Sequence, residues 1–343
     1  MPTASKKRRV SATKHALMER RRAFLARRPH RSFRRTRRRD YVRPLELPGL
    51  IAFSTEVTRL LWKHKTTFFA LAGVYAVLSV FLVGIQSQEL YTTLRDTLQQ
   101  TSAGIFDGIG GAIGQASLLF ASLSTPAFGT DGSEAQQIFA VILFMMMWLT
   151  TVWLLRNILA GHTVKMRDGL YNAGAPFFSM VYIVLLLAVQ LLPAALAVIG
   201  YSAAHQSGLL DSGIAAMLFW VVALLLGVLS LYWVSSSIFA LIIITLPGMY
   251  PYQAIKTAGD MMLGRRIRIL LRWAWLGVVV VVSGFVSIVP VILVDMWMTN
   301  SFPVLEWVPL VPMAVVAWSA CAIIWSAAYM YILYRKVVEN VSE

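Results

Sequence analysis

Apolar residues in this chain gather in six long runs, at 67–86, 136–155, 177–199, 214–246, 273–294 and 308–333. A helix rises ~1.5 Å per residue, so ~20 residues cross a ~30 Å hydrocarbon core. Each run meets that length, and the pattern predicts six transmembrane helices. The expected fold is all-α: a polytopic membrane helix bundle with short cytoplasmic helices at the interface.

Between the runs the pattern becomes amphipathic. In residues 49–65, GLIAFSTEVTRLLWKHK, the apolar positions Leu50, Phe53, Val57, Leu60 and Leu61 recur at spacings of three and four. That is the stripe of a helix lying on a leaflet, with Trp62 at headgroup depth and Lys63 and Lys65 reaching outward. Residues 157–175 and 250–270 place a similar polar stretch before the third and fifth runs. In the second of these, Ile255, Ala258 and Met262 keep helical spacing and Arg265, Arg266 and Arg268 follow. Pro193 and Pro290 stand toward the outer side of the third and fifth runs. Three units, each an interfacial helix followed by a transmembrane hairpin, are the expected organisation. The fourth run exceeds one crossing. It either tilts or continues past Ser235–Ser236–Ser237 to a turn at Pro247–Gly248. The long segment 87–135 opens with Leu90, Leu94 and Leu98 at helical spacing and then turns glycine-rich, which suggests a helical cap on the outer face.

Charge gives the runs a direction. With the N-terminus in the cytoplasm, every Lys and Arg except Arg95 falls on the cytoplasmic side. The acids Glu89, Asp96, Asp107, Asp131, Glu134, Asp211, Asp295 and Glu306 fall outside. The opposite orientation breaks the positive-inside rule at nearly every loop. Both termini are therefore expected in the cytoplasm.

Composition divides the chain in two. Of its 343 residues, 58% are hydrophobic and 14% charged, against ~25% charged in a soluble domain. The net charge of +15 is concentrated: residues 1–66 hold 20 basic and 4 acidic side chains, and the rest is nearly neutral. Residues 1–46 read as a disordered polybasic cytoplasmic tail and 47–343 as a six-span membrane domain. Within the tail, Leu17, Phe24 and Leu25 share one face of a short basic helix. The single cysteine, Cys321, excludes an intramolecular disulfide. The first run starts far from the N-terminus and lacks a small-residue cleavage site after it. It is expected to act as the insertion signal and to stay in the mature protein.

The tail is the first candidate for function. The stretch RRPHRSFRRTRRRDYVR, with Arg34, Arg35, Arg37, Arg38 and Arg39 at its densest, suits anionic lipid on the inner leaflet, worth ~1 kcal/mol per basic residue near the surface. It equally suits RNA phosphates, with Phe33 and Tyr41 able to stack, or a protein partner. Its simplest role is topological, since such a tail does not cross. Arg265, Arg266 and Arg268 are candidates for lipid phosphates.

Coupled transporters usually carry ionisable groups within their spans. Here no Asp, Glu, Lys or His stands near mid-membrane, and Arg156, Arg272 and Asp295 sit at span ends, where snorkelling suffices. The serines, threonines and Gln190 in the spans suit helix-to-helix hydrogen bonds. Gln190, one turn before Pro193, is the best candidate for lining a cavity, because proline frees a carbonyl nearby. Asp295 and Glu306 read as solvated helix ends. The histidines show no ligand spacing, and no phosphate loop, nucleophile elbow or zinc-protease motif is present. No enzyme, cofactor or metal is expected.

Residues 233–272, WVSSSIFALIIITLPGMYPYQAIKTAGDMMLGRRIRILLR, run from an aliphatic span end through a Pro-Gly turn into AIKTAGDMMLGRR. This resembles the multi-pass membrane domain attached to some bacterial glycerophosphodiester phosphodiesterases, and is similar to related stand-alone six-span bacterial families. Ala254, Lys256, Thr257, Gly264 and Arg265 match that group's cytoplasmic helix. The resemblance implies topology and a bacterial plasma membrane. It implies no catalysis, because the phosphodiesterase is a separate soluble barrel for which this chain has no room. The expected activity is that of an organising or anchoring membrane protein; the alternative is a permease component for a lipidic or neutral substrate.

Overall fold

The structure, a computed structural model, describes residues 47–84, 119–120, 133–211, 213–301 and 308–342. The chain divides into two units, 1–46 and 47–343. The tail with its arginine cluster, most of segment 87–135, and Glu306 lie outside the described residues.

Among the described residues ten α-helices follow one another: α1 (Leu50–Lys63), α2 (Lys65–Leu82), α3 (Glu134–Leu159), α4 (Met166–Asn172), α5 (Phe177–Gln206), α6 (Gly213–Ser237), α7 (Ala240–Ile243), α8 (Pro251–Met262), α9 (Arg266–Ser301) and α10 (Leu310–Ser342). No strand occurs among the described residues. By length and composition, α2, α3, α5, α9, α10 and the stretch Gly213–Ile243 are each able to cross a membrane. Six such helices mark the chain as an integral membrane protein. A short helix precedes each of the pairs α2–α3, α5–α6 and α9–α10.

α10 is the hub. It packs against α1, α2, α3, α7 and α9. Residues 327–333 are buried without interruption, as are 147–152 of α3. A helix apolar on all sides and buried on all sides belongs in the middle of a bundle. α5 and α6 do the opposite. They pair with each other and turn Leu185, Val189 and Leu224 outward. Water would penalise that surface, whereas hydrocarbon accepts it.

α3 begins on a capping box, in which Ser133 Oγ accepts the Gln136 N–H and the Gln136 side chain accepts the Ser133 N–H. The fourth apolar run does not continue as one rod. Ser235 and Ser236 hydroxyls both donate to the Tyr232 carbonyl, competing with the helix ladder, and α6 ends at Ser237. Residues 239–244 then turn inward and are entirely buried, α7 among them. Gly248, at φ +75°, makes the turn that leads to α8, in a conformation a side chain would strain.

The basic residues collect at one end of the bundle. There Arg156 Nη1 donates to the Thr245 carbonyl at 2.6 Å, joining α3 to the turn after α7. Lys336 pairs with Glu56 at 2.9 Å, joining the C-terminal part of α10 to α1. Both ends of the described body therefore share this end. Toward the other end, Leu119 and Phe120 are buried with Ile288, Val289, Ile292 and Val311. Leu119 and Phe120, from between α2 and α3, thus pack into the α9–α10 seam.

Candidate functional site

Helix α1 is where the fold concentrates its specific contacts. Ser54, Thr55 and Thr58 lie along one face, and Phe53 and Val57 along the other. Phe53 and Val57 are fully buried. The Phe53 ring meets Tyr329 of α10 edge to face, with centroids 4.7 Å apart. Two cations stand over it, Arg272 at 5.2 Å and Lys336 at 5.9 Å. The other face is held by two indoles: Trp275 Nε1 donates to Ser54 Oγ at 2.9 Å and Trp325 Nε1 to Thr58 Oγ1 at 3.1 Å. Ser54 and Thr58 are one turn apart, so tryptophans from two different helices grip the same stripe.

Arg272 completes the lock. It is buried, and its Nη2 donates to the Pro48 carbonyl just ahead of α1. The expectation that Arg272 snorkels to a solvated span end is corrected: its charge lies inside the fold, against the Phe53 face. Asp295 needs the same correction. It is 2% exposed, not a solvated helix end.

The candidate lipid-contact arginines separate. Arg268 is exposed. Arg266 is half-buried, donates to the Tyr232 carbonyl at 3.0 Å and stacks 3.8 Å from the Tyr232 ring. Arg265 is 2% exposed and donates to the Val337 carbonyl on α10 at 3.3 Å. Its guanidinium is inside the protein, not at a lipid headgroup. The Gly-Arg pair has a plain physical reading. Gly264, at φ +76°, supplies the reversal between α8 and α9, and the next side chain is thereby folded inward. Ala254 is buried in α8, while Lys256 and Thr257 face out.

Gln190 and Pro193 also find structural partners. Gln190 Nε2 donates to Ser237 Oγ at 2.8 Å, and Ser230 Oγ accepts the Ala194 N–H at 3.0 Å, just after the proline. These bonds zip α5 to α6. Gln190 Oε1 is buried without a hydrogen-bond partner among the described residues. Gln190→Leu should therefore change thermal stability little, by ~0.6 kcal/mol or less, because removing the orphan oxygen offsets the lost bond. A melting temperature in detergent that falls by many degrees would contradict this.

Three cavities flank this architecture, and neither Gln190 nor Pro193 lines any of them. The largest, about 470 Å³, lies between α1, α2, α9 and α10. A charged one of about 380 Å³ lies between α1 and the end of α10, with Arg59 and Lys63 beside the Glu56–Lys336 pair. Another of about 380 Å³ holds Arg156, Asn172 and Ser179. Sequence reasoning found none of them. The recurring tryptophans of α9 and α10 were the available signal, but nothing in their spacing ties them to the serine and threonine of α1.

Neither a protein-family model, nor a curated protein, nor a solved structure matches the chain.

Proposed function

We propose that this chain is a non-enzymatic membrane-organising protein of a bacterial plasma membrane, with both termini in the cytoplasm and its basic tail on the anionic inner leaflet. One observation carries this reading: the charge is one-sided. The basic residues of α1, α9 and α10 gather at the end of the body from which residues 1–46 depart, and those residues hold the arginine cluster. Arg34, Arg35, Arg37, Arg38 and Arg39 supply the polyanion contact, and Arg266 and Arg268 face the same leaflet. Helices α1, α4 and α8 are the interfacial helices. The likeness of residues 233–272 to phosphodiesterase-linked membrane domains supports the topology. The permease reading draws less support, since the Gln190 amide bonds to Ser237 across the α5–α6 seam.

The test uses the full chain in nanodiscs of phosphatidylcholine, with or without phosphatidylglycerol. Trypsin should cleave residues 1–46 more slowly when phosphatidylglycerol is present, and ~1 M salt should abolish the difference, because screening then acts within ~3 Å. Equal cleavage in both discs would refute lipid adhesion. Protection that needs added RNA would assign the tail to nucleic acid instead.

A further inference from the structure

We propose that the cavity between α1, α2, α9 and α10 is a binding site for one anionic phospholipid, which inserts a single acyl chain and sets its phosphate against Lys65. This rests on the reading above that the basic end faces the anionic leaflet.

The shape argues for an acyl chain. The cavity is partly open and has a volume of about 470 Å³, within the range of sites that hold small molecules, ~300–1,000 Å³. Along α9 its wall runs from Trp275 to Ser287. Twelve helical steps give a length of about 18 Å, close to one leaflet's half of a ~30 Å hydrocarbon core. A groove one leaflet deep, lined by helices long enough to cross a membrane, is matched to a lipid tail in length. The walls between its ends, with Val279, Val280 and Ala322, are apolar.

A contact between α9 and α10 lines the groove farther along. Trp318 crosses from α10 and its Nε1 donates to Ser283 Oγ at 3.4 Å. Gly284 makes room for it: a Cβ there would lie 2.7 Å from the Trp318 ring. At the near end, Trp62 and Lys65 line the mouth, with Lys65 Nζ 5.5 Å from the Trp62 ring. Lys65 forms no ion pair among the described residues. An ammonium beside an interfacial indole, above an apolar slot, is complementary to a phosphate carried on a chain. The hydroxyls of Ser54 and Thr58 at the mouth are already engaged with Trp275 and Trp325. The headgroup is therefore read by charge.

The probe is phosphatidylglycerol carrying a diazirine midway along one acyl chain, with phosphatidylcholine bearing the same chain for comparison. Full-length protein in nanodiscs is irradiated and the crosslinked peptides are mapped. Labelling should concentrate on the stretches around Val279–Ser287 and Trp318–Trp325, which include the only cysteine, Cys321, as an internal landmark. Phosphatidylglycerol should label them about fivefold more than phosphatidylcholine, the factor that one basic residue near an anionic surface supplies. Lys65→Gln should erase that preference while keeping acyl labelling, and Ala322→Trp should displace the chain. If Ala322→Trp does not fold, Ala72→Trp fills the same groove from α2.

Labelling spread evenly over the outward faces of α5 and α6 would overturn the proposal. So would equal labelling by both lipids, or a crosslink from Cys321 to a second copy of the chain showing that protein fills the groove. Tail protection reads residues 1–46 and crosslinking reads the body, so failure of one is distinguishable from failure of the other.

Discussion

Phe53→Ala is expected to release α1 from the bundle. The phenyl ring is fully buried, touches Tyr329 edge to face, and lies beneath both Arg272 and Lys336. Truncating a buried aromatic costs ~3–5 kcal/mol through lost transfer energy and the cavity left behind. Here the loss falls on one short helix. α1 is held to the rest by that ring, the Trp275 and Trp325 indoles, the Arg272–Pro48 bond and the Glu56–Lys336 pair. The surface pair contributes little, ~0–1 kcal/mol. Trypsin should therefore cut at Arg59 and Lys63 much faster in the variant, while the cleavage pattern of the α5–α6 pair stays as in the parent. Phe53→Leu should give an intermediate rate, because it retains most of the volume and loses the ring geometry and the cation–π contacts. Unchanged cleavage in Phe53→Ala would mean that α1 is not held by this ring.

Arg265→Ala carries the second large effect. If Arg265 were a headgroup ligand, its loss would leave folding stability nearly unchanged. In the structure it ties the α8–α9 turn to the Val337 carbonyl of α10 from a site that excludes solvent. Removing it empties the volume of its long stem and deletes a buried charge-assisted hydrogen bond, an expected loss of ~2–4 kcal/mol. Arg268→Ala, three residues away and exposed, is expected to stay within ~0.5 kcal/mol. Thermal unfolding in one detergent, with both variants side by side, reads the contrast. Equal melting temperatures would return Arg265 to the surface role its sequence suggests.

The two arginines show where a sequence stops being legible. Arg265 and Arg268 stand in the same basic cluster, and charge patterning treats them alike. The difference is made by Gly264 at positive φ, which turns one side chain inward and leaves the other out. Arg272 and Asp295 are buried, although a charge at the end of an apolar run is expected to reach water unless another element covers it. Pro48, just ahead of α1, meets Arg272 from 224 residues away.

The fourth run gives a related lesson. Residues 239–244 are as apolar as a span, and hydropathy does not distinguish lipid from protein interior. Their burial among α5, α8 and α10 follows from the break after Ser237 and the turn at Gly248. Gln190, an amide inside the third span, reads equally well as a cavity lining or as a bond between helices. The position of Ser237 decides for the bond.

Hydrophobic period and length alone give the all-helical class, the six spanning helices, and the short helices before the first, third and fifth of them. These are local properties: each backbone satisfies its own hydrogen bonds in the helix, and hydrocarbon thickness sets the length. Folding in three dimensions decides which helix is the hub, which charges are buried, and that α1, α2, α9 and α10 enclose a tryptophan-lined groove. Those features depend on residues more than 200 positions apart meeting at one surface, and no local pattern encodes such a meeting.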